Sequence, residues 1–138
     1  MNKDCSGRIL VFLPTFNDLE LLSELTHDIS SLGKEYVPLV LDDGSRPVVD
    51  SETLAPRSLI FHLPTNFGIG VATHIAFDHA LKHDYWAVVR IDADGQHPVG
   101  AIPTLIDRLR AEETDLVVGA RQNRNHTIGI REIAARVA

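Results

Sequence analysis

Residues 85–98 read YWAVVRIDADGQHP. An apolar run, Tyr85 to Val89, lies in a stretch to Ile91 that stops abruptly at two aspartates separated by one alanine. A short apolar run bounded by turn residues reads as a strand buried on both faces. Asp92, Ala93 and Asp94 then leave its carboxyl end. In extended chain, residues two apart point to the same side. Both carboxylates are therefore expected to face one spot at the edge of a sheet. Close carboxylates repel each other, and a divalent cation relieves the repulsion. Oxygen ligands suit Mg²⁺ or Mn²⁺. Mg²⁺ takes one or two protein carboxylates and fills its shell with water and phosphate oxygens, so the pattern suits a metal–diphosphate. Gln96 offers a further neutral oxygen, and His97 a hydrogen bond or a ligand for a softer metal. The plainer reading is a loop with capping aspartates, since Asp and Gly are common in turns.

Outward from this stretch, apolar runs alternate with helical patterns. Ile9 to Leu13 is a buried strand ending at Pro14. Asp18 is placed to cap a helix in which Leu22, Leu25, Ile29 and Leu32 recur at helical spacing, with Gly33 as its stop. Val37 to Leu41 is a second strand, broken by Asp42-Asp43-Gly44-Ser45. Arg46 to Arg57 is a connection with one short helix. Leu59 to Leu63 is a third strand, and Gly68 to Lys82 a helix. The strand at Tyr85–Ile91 follows, then a helix marked by Ile102, Leu105, Ile106 and Leu109, then a short strand Leu116–Val118. Ile130, Ile133, Ala134 and Val137 form a stripe at helical spacing, which predicts a last helix over 127–138. A helix of about ten residues is marginal alone, so this stripe needs the domain's body or a continuation to pack on.

The order β-α-β-(loop)-β-α-β-α-β implies an α/β fold, a mostly parallel sheet with helices on both faces. Ligands bind such sheets at the carboxyl ends of the strands. That rule selects Pro14–Asn17, Asp42–Ser45, Asn66–Gly70, Asp92–His97 and Gly119–Arg121. Exposed amides at the Asn66–Gly70 helix start can hold an anion. As a dinucleotide fingerprint the segment fails, because Thr73 stands where a third glycine is wanted. Arg121 carries the planar donor fork that suits a diphosphate.

The whole chain of 138 residues and 15.2 kDa has room for one domain. Its 44% hydrophobic and 23% charged residues are those of an ordinary globular protein. A net charge of −6 argues against a nucleic-acid partner. The single cysteine, Cys5, fits a reducing compartment. No apolar run approaches the roughly 20 residues of a membrane span, and Met1 to Arg8 holds no signal-peptide core. The expectation is a cytoplasmic protein that can work peripherally at the inner face of a membrane through a partner.

Together these motifs resemble the family 2 glycosyltransferases, which have the GT-A fold. The resemblance runs in order through VFLPTFN (Val11–Asn17), LDDGS (Leu41–Ser45), NFGIGVA (Asn66–Ala72), IDADGQHP (Ile91–Pro98) and DLVVGAR (Asp115–Arg121). The form DADGQHP most resembles the branch that includes polyprenyl-phosphate mannosyl and glucosyl transferases. The resemblance implies that Pro14, Thr15 and Asn17 line a nucleotide pocket, with Gly70 and Ala93 beside them. Asp42 or Asp43 would bind the base or ribose. Asp92 and Asp94 would be the catalytic carboxylates and, with Gln96, the metal set. Arg121 and Arg131 would hold phosphates. The implied reaction is inverting transfer from a nucleotide-diphosphate sugar to a polyprenyl phosphate or a growing glycan, with Mg²⁺ or Mn²⁺. Two features depart from the family. Ser45-Arg46-Pro47 lacks the second acidic residue of a Ser-x-Asp turn. The chain is also short, so residues 1–138 are expected to be a single donor-binding domain without the acceptor half. The alternative is a non-catalytic nucleotide-sugar-binding module that needs a partner chain. A haloacid-dehalogenase phosphatase would place its D-x-D-G on the first strand. A sugar nucleotidyltransferase would have a glycine-rich first loop, which Pro14-Thr15-Phe16-Asn17 is not.

Overall fold

A computed structural model describes residues 7–111, 114–120 and 130–137. In chain order they form β1 (Arg8–Thr15), α1 (Leu22–Ser31), β2 (Tyr36–Asp42), β3 (Leu59–His62), α2 (Ile69–Lys82), β4 (Tyr85–Arg90), α3 (Ile102–Ala111), β5 (Leu116–Ala120) and β6 (Ile130–Arg136). Short 3₁₀ turns at Ser51–Thr53 and Val99–Ala101 fill two of the connections. The first is the short helix expected between Arg46 and Arg57.

The strands make one six-stranded sheet in the order β3-β2-β1-β4-β6-β5. β1 lies at its centre, parallel to β2 on one side and β4 on the other, with Phe12 opposite both Leu39 and Arg90. Every residue from Ile9 to Leu13 is fully buried. The run is uniformly apolar because both faces are covered. Ile9, Val11 and Leu13 pack with Leu22, Leu25 and Ile29 of α1 and Ile102, Ile106 and Leu109 of α3. Leu10 and Phe12 pack on the other face with Ala76 and Ala80 of α2. Ala72, Ala76 and Ala80 recur every four residues, so α2 turns a stripe of small side chains to the sheet. Fully burying a side chain such as Phe12 contributes about 1.5–3 kcal/mol.

Two expectations fail. α1 begins at Leu22, with Leu21 at its N-cap and no side-chain cap. Asp18 is instead part of the loop, where its carbonyl accepts the Thr15 hydroxyl at 2.6 Å. The second failure is larger: the stripe at 130–137 is a strand. β6 runs antiparallel between β4 and β5, with Ala134 opposite Val89 on one side and Val117 on the other. Ala134 is fully buried. The slot between two strands satisfies the backbone on both sides, whereas a short lone helix has little to hold it. The sheet is thus mostly parallel, with both antiparallel pairs made by β6.

Candidate active site

The carboxyl ends of β1, β2, β3 and β4 open together onto a cavity of about 390 Å³. Pro14 and Thr15 come from the end of β1, Phe16 and Asp18 from the loop after it, and Asp43 from the turn after β2. Asn66, Gly68, Ile69 and Ala72 come from the start of α2. Asp92, Ala93 and Asp94 close the wall from β4.

The two aspartates after β2 behave differently. Asp42 is buried, and its carboxylate accepts the Ser45 N–H at 2.8 Å, the Val49 N–H at 3.3 Å and His62 Nδ1 at 3.0 Å. Burial alone would push its pKa up. The hydrogen bonds from Ser45, His62 and Val49 outweigh burial and hold it below its ordinary 3.8. Asp42 is therefore spent on folding its own turn and does not line the cavity. Asp43 does line the cavity. Its two oxygens accept the Phe67 and Gly68 N–H groups, each at 2.8 Å. These are amides expected to hold a ligand's anion, and a protein carboxylate already occupies them. Hydrogen bonds to a charged group contribute about 1.5–3 kcal/mol each, so Asp43 is a strong bracket between the β2 turn and α2.

The first loop is braced in the same way. The Thr15 carbonyl accepts the Asp43 N–H at 2.9 Å. The Asn17 N–H donates to Ser45 Oγ, and Asn17 Oδ1 accepts the Arg46 N–H, both at 2.8 Å. Asn17 holds two loops together at φ 59°, a left-handed conformation asparagine tolerates better than most residues. It does not line this cavity, and Gly70, in the first turn of α2, does not either. A Cβ added at Gly68 or Gly70 would meet nothing within 4 Å, so close helix–sheet packing is not their purpose. Gly68 has φ 89°, which glycine accepts freely.

At the end of β4 the extended geometry stops at Arg90, and Gly95 turns the chain at φ 68°. The same-side argument for Asp92 and Asp94 therefore does not hold, yet both reach the cavity wall by way of the turn. Asp92 Oδ1 accepts Arg90 Nη2 at 3.0 Å, and Asp92 Oδ2 lies 3.6 Å from Nε2 of the buried His97. Asp94 is exposed, and its Oδ1 accepts the Gln96 N–H at 3.0 Å. Arg90 was missed in the sequence reading. Its signal was present, since it stands two residues before Asp92 on a strand end. Gln96 is exposed and outside the cavity wall. Arg121 and the Arg131 side chain lie outside the described residues.

Among the described residues, no group of three His, Cys, Asp or Glu could cage a metal. Two carboxylates on an open cavity instead fit a hard cation that keeps water and substrate oxygens in its shell. The donor set therefore suits Mg²⁺ or Mn²⁺ held jointly with a ligand.

The family model described as Glycosyl transferase family 2 matches residues 10–136. The chain belongs to that family. A polyprenol monophosphomannose synthase of Mycolicibacterium smegmatis is 32% identical over 120 residues, covering 83% of this family 2 chain and 45% of the relative. An undecaprenyl-phosphate mannosyltransferase of Micrococcus luteus is 31% identical over 120 residues, covering 83% and 49%. The chain thus spans about half the length of these curated relatives. Among solved structures, a mannosyltransferase from Pyrobaculum calidifontis in complex with GDP-Man and Mn²⁺ superposes with a TM-score of 0.71 at 19% identity, covering 96% of this chain and 46% of that one. Glucosyl-3-phosphoglycerate synthase from Mycobacterium tuberculosis in complex with UDP gives 0.68 at 21% identity, covering 96% and 57%. These structures establish the GT-A type of fold. Among the described residues, no helix is long and apolar enough to cross a membrane.

Proposed function

We propose that this chain is the donor-binding domain of an inverting glycosyltransferase that moves a sugar from a nucleoside-diphosphate sugar to a polyprenyl phosphate. The observation that carries the reading is the placement of Asp92 and Asp94 on one cavity wall, at the carboxyl end of β4, in a family 2 chain. The name of the M. smegmatis relative, a polyprenol monophosphomannose synthase, favours the lipid-phosphate acceptor over a growing glycan.

The residues divide the work. Asp94, exposed and held by a single backbone amide, would take the cation directly. Arg90 fixes the Asp92 carboxylate, which would face the ribose or ion-bound water. Asp43 keeps the start of α2 in place as the opposite wall. A bound divalent cation would supply Lewis-acid charge to the departing diphosphate. The acceptor attacks the anomeric carbon as the diphosphate leaves. An anionic phosphate acceptor needs no general base, whereas a hydroxyl would. A domain carrying this chemistry would meet its lipid acceptor at a membrane face.

A second reading, which the same donor cavity supports, is a donor-binding chain that turns over only with a partner. Incubation with GDP-mannose or UDP-glucose, Mn²⁺ and detergent-dispersed polyprenyl phosphate separates the two. The proposal expects nucleoside diphosphate release and a glycolipid of inverted anomeric configuration by NMR. Tight metal-dependent binding with no release would decide for the second reading. A retained configuration would overturn the mechanism.

A further inference from the structure

A second cavity, of about 270 Å³, lies beside the first and shares Phe16 and Asn66 with it as a common wall. Asn17, Gly44, Thr65 and Arg46 form much of the rest. Its shape is built. A Cβ at Gly44, where φ is 84°, would come 2.6 Å from the Thr65 backbone, so the β2 turn sits directly against the loop leading into α2. The Arg46 backbone is fixed by its N–H bond to Asn17 Oδ1. Its guanidinium, by contrast, has no hydrogen bond or ion pair to any described residue, and the side chain is exposed. Arg46 also stands in the turn where the sequence departs from the Ser-x-Asp pattern. A cation is thus placed beside the donor cavity with no carboxylate among the described residues to answer it.

The ends of the double cavity have different chemistry. Asp92 and Asp94 stand at one end, which suits the metal–diphosphate. Phe16, half-exposed, stands between the cavities and offers a flat apolar face on which a heteroaromatic ring can stack. The edge of such a ring would then enter the second cavity. The base is not settled by the fold, because the structural neighbours hold GDP-Man in one case and UDP in another.

We infer that the second cavity reads the edge of the donor's nucleobase, and that Arg46 selects guanine. The inference rests on the proposed function, since it assumes a nucleoside diphosphate in the first cavity. Guanine presents two acceptors, O6 and N7, side by side, which match the guanidinium fork. Uracil presents one acceptor, O4, beside a C–H. Adenine presents N7 beside an amino donor, which faces the fork with the wrong polarity.

The test is calorimetric titration of the chain with GDP, UDP and 7-deaza-GDP, all with Mn²⁺, for the wild type and for Arg46→Ala. The wild type is expected to bind GDP about tenfold more tightly than UDP, and to lose most of that margin with 7-deaza-GDP. In Arg46→Ala the GDP margin should vanish while UDP binding stays within about twofold. Equal loss of GDP and UDP in that variant would overturn the inference, because it would make Arg46 a phosphate contact. Equal binding of GDP and UDP by the wild type would overturn it too while leaving the proposed function standing. No binding of any nucleotide by folded protein would overturn both.

Discussion

The loops after β1 and β2 and the loop after β4 contain the same kind of residues and use them in opposite ways. In the first region the polar groups are spent on one another. Asp42 closes its own turn, Asp43 brackets α2, and Asn17 ties the two loops through Ser45 and Arg46. In the second region the carboxylates are left facing the cavity. Asp94 has one backbone bond, and Asp92 is oriented by Arg90 without being covered. A buried, saturated carboxylate is scaffold, and a held but exposed one is available for chemistry. Residue type alone does not distinguish them.

This contrast breaks cleanly under substitution. Asp43→Ala removes two charge-assisted bonds and leaves the Phe67 and Gly68 amides unanswered, so it should cost about 3–4 kcal/mol of stability by urea unfolding. A loss under 1 kcal/mol would remove Asp43 from the scaffold. Asp94→Ala should do the reverse. Its unfolding midpoint should stay at the wild-type value while Mn²⁺-dependent nucleotide binding falls by about 100-fold or more. Gly44→Ala forces a Cβ into the Thr65 backbone at positive φ and should cost about 1–3 kcal/mol, with weaker nucleotide binding as the loops separate.

The smallest effect is with acid. The folded pKa of Asp42 lies below its unfolded value of 3.8, so its contribution to stability is complete above that value. It is lost as pH falls through the folded pKa. Asp42→Asn should flatten that part of the acid limb of a stability–pH curve, and an unchanged limb in that variant would contradict the assignment.

What was legible in the sequence follows from the same physics. β1, β2 and β4 are visible because strands buried on both faces must be continuously apolar, and Ile9–Leu13 is. β6 is not, because its partners are distant in sequence and its spacing fits a helix equally well; only the slot between β4 and β5 decides. The position of the Asp92–Asp94 pair is legible from the strand end that precedes it, although Ala93 and Asp94 lie in a turn and not in extended chain. The division between Asp42 and Asp43 is illegible. It depends on which backbone amides fold back within reach, and an amide has no sequence signature.

The central claim is that Asp92 and Asp94 hold a divalent cation together with the donor's diphosphate. Calorimetric titration of the chain with GDP-mannose and UDP-glucose, with and without Mn²⁺, tests it most directly. The account predicts binding that requires Mn²⁺ and disappears in Asp94→Ala. Equal binding with and without the metal, or undiminished binding by Asp94→Ala, would contradict it.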